Sequence, residues 1–276
     1  MTAPAPLSAP RAFEVVLEWV ESRILAGQLH VGDLLPPERE LARQLGVSRS
    51  AVREAVRTLA AQGVLRSSVG AGGAGGTTVT AVPSRALERF LRLHVALANF
   101  PVDDVIQARI ALERLSARLA TSNARASDLA AMREALAAMD VAGIDKSAFN
   151  DADTAYHVAI AGAAGNRLVA DMTVAIRESM RLPLLDAFRN VGEWDDLVDG
   201  LRAQHQAIYR AIEARDADRA EDLVEEHIRS AWRRLAPSFD RRWGTGEDAI
   251  RADRPAPAGA SSPDEPSPSS VSESSR

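Results

Sequence analysis

Four side chains of the kinds that hold metal ions recur at helical spacing in the second half of this chain. Asp153 and His157 stand four apart in DADTAYHVAIAGAAGN, so on a helix they project from one face, one turn apart. His205, in RAQHQAIYRAI, and His227, in EDLVEEHIRSAW, sit on two later amphipathic stretches whose apolar residues at helical spacing can turn both inward. Three imidazoles and a carboxylate suit zinc, manganese, nickel or iron, and the open positions of such a site accept the oxygens of a ligand. A single histidine on an amphipathic helix is more commonly a hydrogen-bonded core residue, so spacing alone leaves both readings open. The other two of the five histidines, His30 and His94, have no comparable setting.

A different chemistry marks the stretch GVSRSAVREAV, residues 46 to 56. Arg49, Arg53 and Arg57 follow one another at intervals of four, off the face on which Val52, Ala55, Val56 and Leu59 align at helical spacing. Ser48 is a suitable N-cap, which puts Arg49 and Ser50 in the first turn, where free backbone N–H groups and the helix dipole favour phosphate. The planar fork of arginine pairs with guanine O6 and N7 or clamps a phosphate. A solvated charged face is the plain alternative for the three arginines taken alone.

Elements to position these groups are readable on either side. A short amphipathic stretch from Glu38 to Leu45 leads through Gly46 and Val47 into the arginine-bearing helix, which is the layout of a helix-turn-helix whose second helix enters the major groove. After Gly63, VLRSSV and TTVTA read as two short strands about the tip GAGGAGG, a wing. No Lys-Ser/Thr follows those glycines and no helix starts there, which makes a phosphate-binding loop a poor reading. The metal-type residues belong to a second region, where one helical pattern follows another from 84 to 243, with starts expected at Ser127-Asp128 and Asn166. The boundary falls at residues 81 to 84, AVPS, so the winged domain spans 11 to 80. Residues 1 to 10 and 244 to 276 have Pro/Ser/Ala-rich compositions that cannot bury a core and are expected to be disordered. The fold class is thus mainly α, a winged helix-turn-helix followed by an all-helical bundle.

Composition narrows the function classes. The chain has 276 residues, 46 % hydrophobic and 26 % charged, enough for two modest cores. No apolar run of membrane-spanning length and no signal-peptide pattern appear, so the expected location is the cytoplasm, with no membrane partner. The absence of cysteine removes disulfides, thiol catalysis and thiolate metal sites. The net charge of −5 means that nucleic acid must be met by a local patch. Lys146 is the sole lysine, and we assign it no function.

The run GDLLPPERELARQLGVSRSAVREAVRTLAAQGVL resembles the winged helix-turn-helix of GntR-family transcription regulators. The resemblance implies DNA contacts from Arg39, Arg49 and Arg53, with Ser48 and Ser50 on phosphate. Two departures stand out. Pro37 replaces the usual capping serine, so this helix must begin by proline preorganisation and Glu40 loses its capping partner. The wing tip, Gly70 to Gly76, carries only small residues where the family usually has a basic residue or a histidine, so weak or backbone-only minor-groove contact is expected.

Residues 84 to 235 resemble the all-helical FCD effector domain of the FadR-type members, through Arg109 three residues before Leu-Glu in ARIALERLSARLA, Asp153, His157, Gly165-Asn166, His205 and His227. The resemblance implies a divalent metal, zinc first with nickel, manganese or iron as alternatives, held by Asp153, His157, His205 and His227. It also implies a small organic-acid effector, met by Arg109 and Asn166. A guanidinium clamps a carboxylate bidentately, although Arg109 can instead pair with Glu113 on its own helix face.

The expected function is a homodimeric regulator, a repressor by default, that binds an inverted-repeat DNA operator and responds to a small carboxylate. A purely structural metal site is one alternative. A metal-dependent enzyme with Glu226 as base is another, disfavoured because neighbouring helix residues point about 100° apart.

Overall fold

The computed structural model describes residues 11–68, 76–80 and 84–239. The expected disordered ends, most of the wing tip and residues 81 to 83 of the boundary lie outside the described residues.

The first core is built by three helices and a small sheet. Helix α1, Ala12–Leu25, carries no chemical motif but inserts Val16 and Val20, both fully buried. Helix α2, Glu38–Leu45, follows Pro37 without any side-chain cap, and Glu40 turns forward to accept from Arg43 and Gln44. Gly46 then takes a left-handed φ of +66°, and Val47 N–H donates back to Ala42 O. A β-carbon would be strained in that conformation, so the glycine permits the sharp turn. Helix α3, Arg49–Ala61, buries Ala51, Val52, Ala55, Val56 and Leu59, the expected face.

Strands β1, Leu65–Ser68, and β2, Gly76–Val79, pair antiparallel with Leu65 opposite Val79. The segment from Gly32 to Leu35 adds to the free edge of β2, with Leu34 bridging Thr78 and Leu35 N–H donating to Thr77 O. A β-carbon on Gly76 would come within 2.8 Å of Leu34 Cδ2, so glycine there admits this third segment.

The second core is helical throughout. Its elements are α4 Ser84–Ala96, α5 Val102–Asn123, α6 Ala126–Met139, α7 Lys146–Ala163, α8 Arg167–Asn190, α9 Trp194–Glu213 and α10 Ala217–Leu235, closed by one 3-10 turn, Ala236–Ser238. Helix α5 packs on α10, α4 on α8, and α7 between α6 and α8. Local sequence sets the starts: Asp145, Asn166 and Asp216 each accept backbone N–H groups at the head of α7, α8 and α10. Helix α6 begins slightly before the expected Ser127-Asp128, because Asp128 acts from inside the first turn by accepting Arg125 N–H at 2.8 Å. Gly165 has a φ of +69° with Asn123 Nδ2 2.9 Å from where a β-carbon would stand, so Gly-Asn at 165 and 166 ends one helix and starts the next. No described helix is long and apolar enough to cross a membrane.

Candidate functional site

Helix α3 presents a polar side to water. Arg49, Arg53 and Arg57 are exposed on it, and Arg39 is exposed on α2. Ser48 Oγ accepts Ala51 N–H at 3.1 Å and lies 2.8 Å from Ser50 Oγ. The first turn contains no acidic residue, so nothing on it offsets the positive end of the helix dipole. Arg39, Arg49 and Arg57 form no hydrogen bond or ion pair among the described residues, whereas Arg53 reaches back to Glu38 of α2 at 3.2 Å. Glu38 thereby steadies Arg53 across the turn, a role that sequence inspection missed because the two are fifteen residues apart.

A second constellation lies inside the helical domain. Asp153 and His157 from α7, His205 from α9 and His227 from α10 are buried, and one ligand atom from each lies within 4.8 Å of the others. Asp153 Oδ1 stands 3.1 Å from His205 Nε2 and 3.8 Å from His157 Nε2. Two donors on one ion at about 2.0–2.2 Å are separated by about 3.4 Å when tetrahedral, so these spacings fit a divalent metal. His157 Nε2 and His205 Nε2 are buried without a hydrogen-bond partner. Such nitrogens are rare unless a ligand is their partner.

Surrounding groups select which atoms face the centre. His157 Nδ1 lies 2.5 Å from Glu113 Oε2, leaving Nε2 for the ion. For His227 the tautomer follows from a chain of bonds. Ser230 Oγ donates to His227 O and so accepts from Gln204 Nε2 at 3.0 Å, which turns Gln204 Oε1 towards His227 Nδ1 at 2.9 Å. His227 Nδ1 must then donate, and Nε2 keeps its lone pair. Tyr156 donates to His205 O at 3.0 Å and holds the backbone of α9 against α7.

Electrostatics suit a cation. Burial pushes His227 well below its ordinary value, with His205 and His157 adding to the effect. Burial also lowers His205 against the opposing pull of Asp153. Both rings are therefore neutral at pH 7, the form that ligates. For Asp153, burial acts upward but His205, His157 and Arg109 outweigh it and hold the carboxyl below its usual range. Glu113 is likewise lowered, its burial outweighed by His157 and Arg109.

The effector residues expected from the sequence divide. Arg109 is buried and its Nε donates to Glu113 Oε1 at 2.6 Å, the alternative pairing recognised in the sequence. Asn166 is exposed and caps α8 by accepting Val169 N–H at 3.2 Å. Glu226 is exposed and accepts from Arg233 at 2.8 Å, outside the buried group. His30 lies beside Asp33 and His94 beside Phe90 and Asn99. Inspection missed Arg177 on α8, which is 1 % exposed and donates to Asp153 Oδ2. The pattern carried no signal for it, since α8 also bears Arg181 and Arg189 and packing alone decides which is buried.

Comparison with known proteins follows this division. Residues 13–74 match the family described as bacterial regulatory proteins, gntR family, and residues 104–230 match the FCD domain. The galactonate operon transcriptional repressor of Escherichia coli K12 is 30 % identical over 220 residues, covering 77 % of this chain and 92 % of the relative. The chain belongs to the GntR family.

Other GntR-family proteins agree. The Glc operon transcriptional activator of E. coli K12 is 26 % identical over 228 residues, covering 80 % of this chain and 88 % of the relative. The solved structure titled Streptococcus agalactiae GntR superposes with a TM-score of 0.51 at 24 % identity, covering 80 % of this chain and 99 % of that one, which supports the fold. This GntR-family chain is a DNA-binding transcription regulator and not an enzyme.

Proposed function

We propose that this regulator binds an inverted-repeat operator as a homodimer and releases it when a small carboxylate joins a divalent metal in the helical domain. The observation that carries the effector half is the buried set Asp153, His157, His205 and His227, with ligand atoms within 4.8 Å. Zinc is the first candidate, because three imidazoles and one carboxylate are ligands it favours. When bound, the ion supplies a Lewis-acidic anchor for carboxylate oxygens. The chain's own residues orient the ligands: Glu113 holds His157, Gln204 holds His227 and Arg177 holds Asp153. The name of the galactonate operon repressor supports both a sugar-acid type of effector and repression.

At the other end, Arg39, Arg49 and Arg53 are the proposed DNA contacts, with Ser48 and Ser50 on phosphate. Two-fold symmetry would place two copies of α3 in successive major grooves about 34 Å apart. The effector acts on DNA only through its differential affinity for the two arrangements of the protein, typically about 5- to 150-fold. The site of action is the cytoplasm, where the operator lies.

A purely structural metal is the second reading, favoured by the near-complete burial of all four ligands, none more than 5 % exposed. Fluorescence anisotropy on operator DNA, with zinc-loaded and chelated protein and a panel of small acids, separates the two. An acid that weakens DNA binding only in the zinc-loaded form bears out the proposal. Zinc that raises stability while no acid alters DNA binding leaves the structural reading.

A further inference from the structure

Arg177 has more hydrogen-bonding capacity than its surroundings use. Its Nη2 donates to Asp153 Oδ2, its Nη1 stands 3.6 Å from Glu113 Oε1, and Nη1 and Nε have no hydrogen-bond partner although the side chain is fully buried. A buried guanidinium ordinarily fills its donors, since each one left over has given up water for nothing. Arg109 gives its Nε to Glu113 at 2.6 Å, and none of its nitrogens is both fully buried and without a partner.

Charge points the same way. Arg109 cancels Glu113 and Arg177 cancels Asp153, so the interior is close to neutral before a cation enters and short of negative charge afterwards. A buried charge imbalance is unfavourable, and an anion relieves it. Position completes the case. Asp153 meets Arg177 through Oδ2 and faces the histidine nitrogens through Oδ1, so only one carboxylate separates the free donors from the ligand cluster.

We propose that Arg177, rather than Arg109, is the principal contact for the effector's carboxylate, with Nη1 and Nε as the donors. The inference rests on the effector reading above and narrows it. A ligand that meets both the metal centre and a guanidinium one carboxylate away needs two oxygen-bearing groups close together, as in an α-hydroxy acid, a sugar acid or a short dicarboxylate.

The test uses full-length protein loaded with zinc, melted with a panel that includes L-lactate, D-galactonate and L-malate, alongside Arg177→Lys with its zinc content measured. The expected result is that at least one acid raises the melting temperature of the wild type, and that zinc-containing Arg177→Lys binds that acid about tenfold or more weakly. Equal binding by Arg177→Lys overturns the role of Arg177 and leaves the effector reading standing. No response by the zinc-loaded wild type to any acid overturns both. Because Arg177 also holds Asp153, a variant that fails to fold or to keep zinc is replaced by a crystal structure of the wild type with zinc and the responding acid. A carboxylate oxygen within about 3.2 Å of Arg177 Nη1 or Nε supports the proposal. Contact with Arg109 alone overturns it.

Discussion

Arg49 and Arg57 on α3 are exposed and have no carboxylate partner among the described residues, whereas Arg109 on α5 and Arg177 on α8 are 4 % and 1 % exposed and each closes on a buried carboxylate. The same side chain therefore does two kinds of electrostatic work. An exposed guanidinium stays hydrated until a phosphate displaces its counterions, so its contribution is additive, screened by salt and tolerant of neighbours. A buried one has lost its water and depends on a particular partner, so removing either half of the pair is severe. The DNA-binding end should thus lose affinity under mutation while keeping its fold, and the helical end should lose the fold itself.

The sharpest attempt to break this contrast is Asp153→Asn. It removes the carboxylate charge that Arg177 Nη2 meets, leaving only Glu113 Oε1 at 3.6 Å, and should cost about 3–5 kcal/mol of stability in urea denaturation of chelated protein. A loss under about 1 kcal/mol would show that the interior tolerates charge imbalance. Next comes Arg53→Ala, expected to weaken operator binding by about 1–3 kcal/mol in a titration. With Arg53 52 % exposed, its pair with Glu38 is a surface one, and the melting temperature should hardly move. A variant that melts early would mean that Arg53 is structural.

Acid should separate the two ends through the buried histidines. The folded state keeps His205 and His227 below their ordinary value of 6.5, so below that pH the unfolded chain takes up protons that the native state refuses. Stability of the metal-free protein then falls as pH drops below 6.5, by about 1.4 kcal/mol per pH unit for each ring that stays neutral. The lowered Asp153 and Glu113 extend the loss below the ordinary carboxylate range. Thermal melts from about pH 7.5 to about pH 5 read the histidine part directly, and a flat profile would place the rings in water. The smallest effect is expected from Ser48→Ala, which removes the N-cap of α3 at a cost of about 1 kcal/mol and is checked by urea denaturation of the full chain.

Much of this contrast was readable from residue order, and where it was not the reason is physical. Helix α3 was legible because its apolar residues keep the helical period and Ser48 precedes them. Helix α1 and the strand-like segment at Leu34 went unnoticed because neither carries a chemical motif, and the pairing of Leu34 with Thr78 joins residues distant in the chain. Asp153 and His157 could be paired from spacing, since one helix face brings them together. His205 and His227 were candidates from their amphipathic settings, and the resemblance strengthened their grouping with that pair, because each stands on its own helix.

The sequence by itself determined which local elements form and which chemistries are available: a capped, arginine-bearing helix after a Gly46 turn, a helical second half, and the histidines and Asp153 that are candidates for a metal. Those features depend on neighbours within a turn or two, where backbone propensity and side-chain period act. Only the tertiary structure decided that Arg177 is buried while Arg181 is exposed, that Arg109 closes on Glu113, and that Gln204 and Glu113 orient the rings of His227 and His157. Burial and the partners it enforces arise where α5, α7, α8, α9 and α10 pack together, and no single helix carries the record of the others.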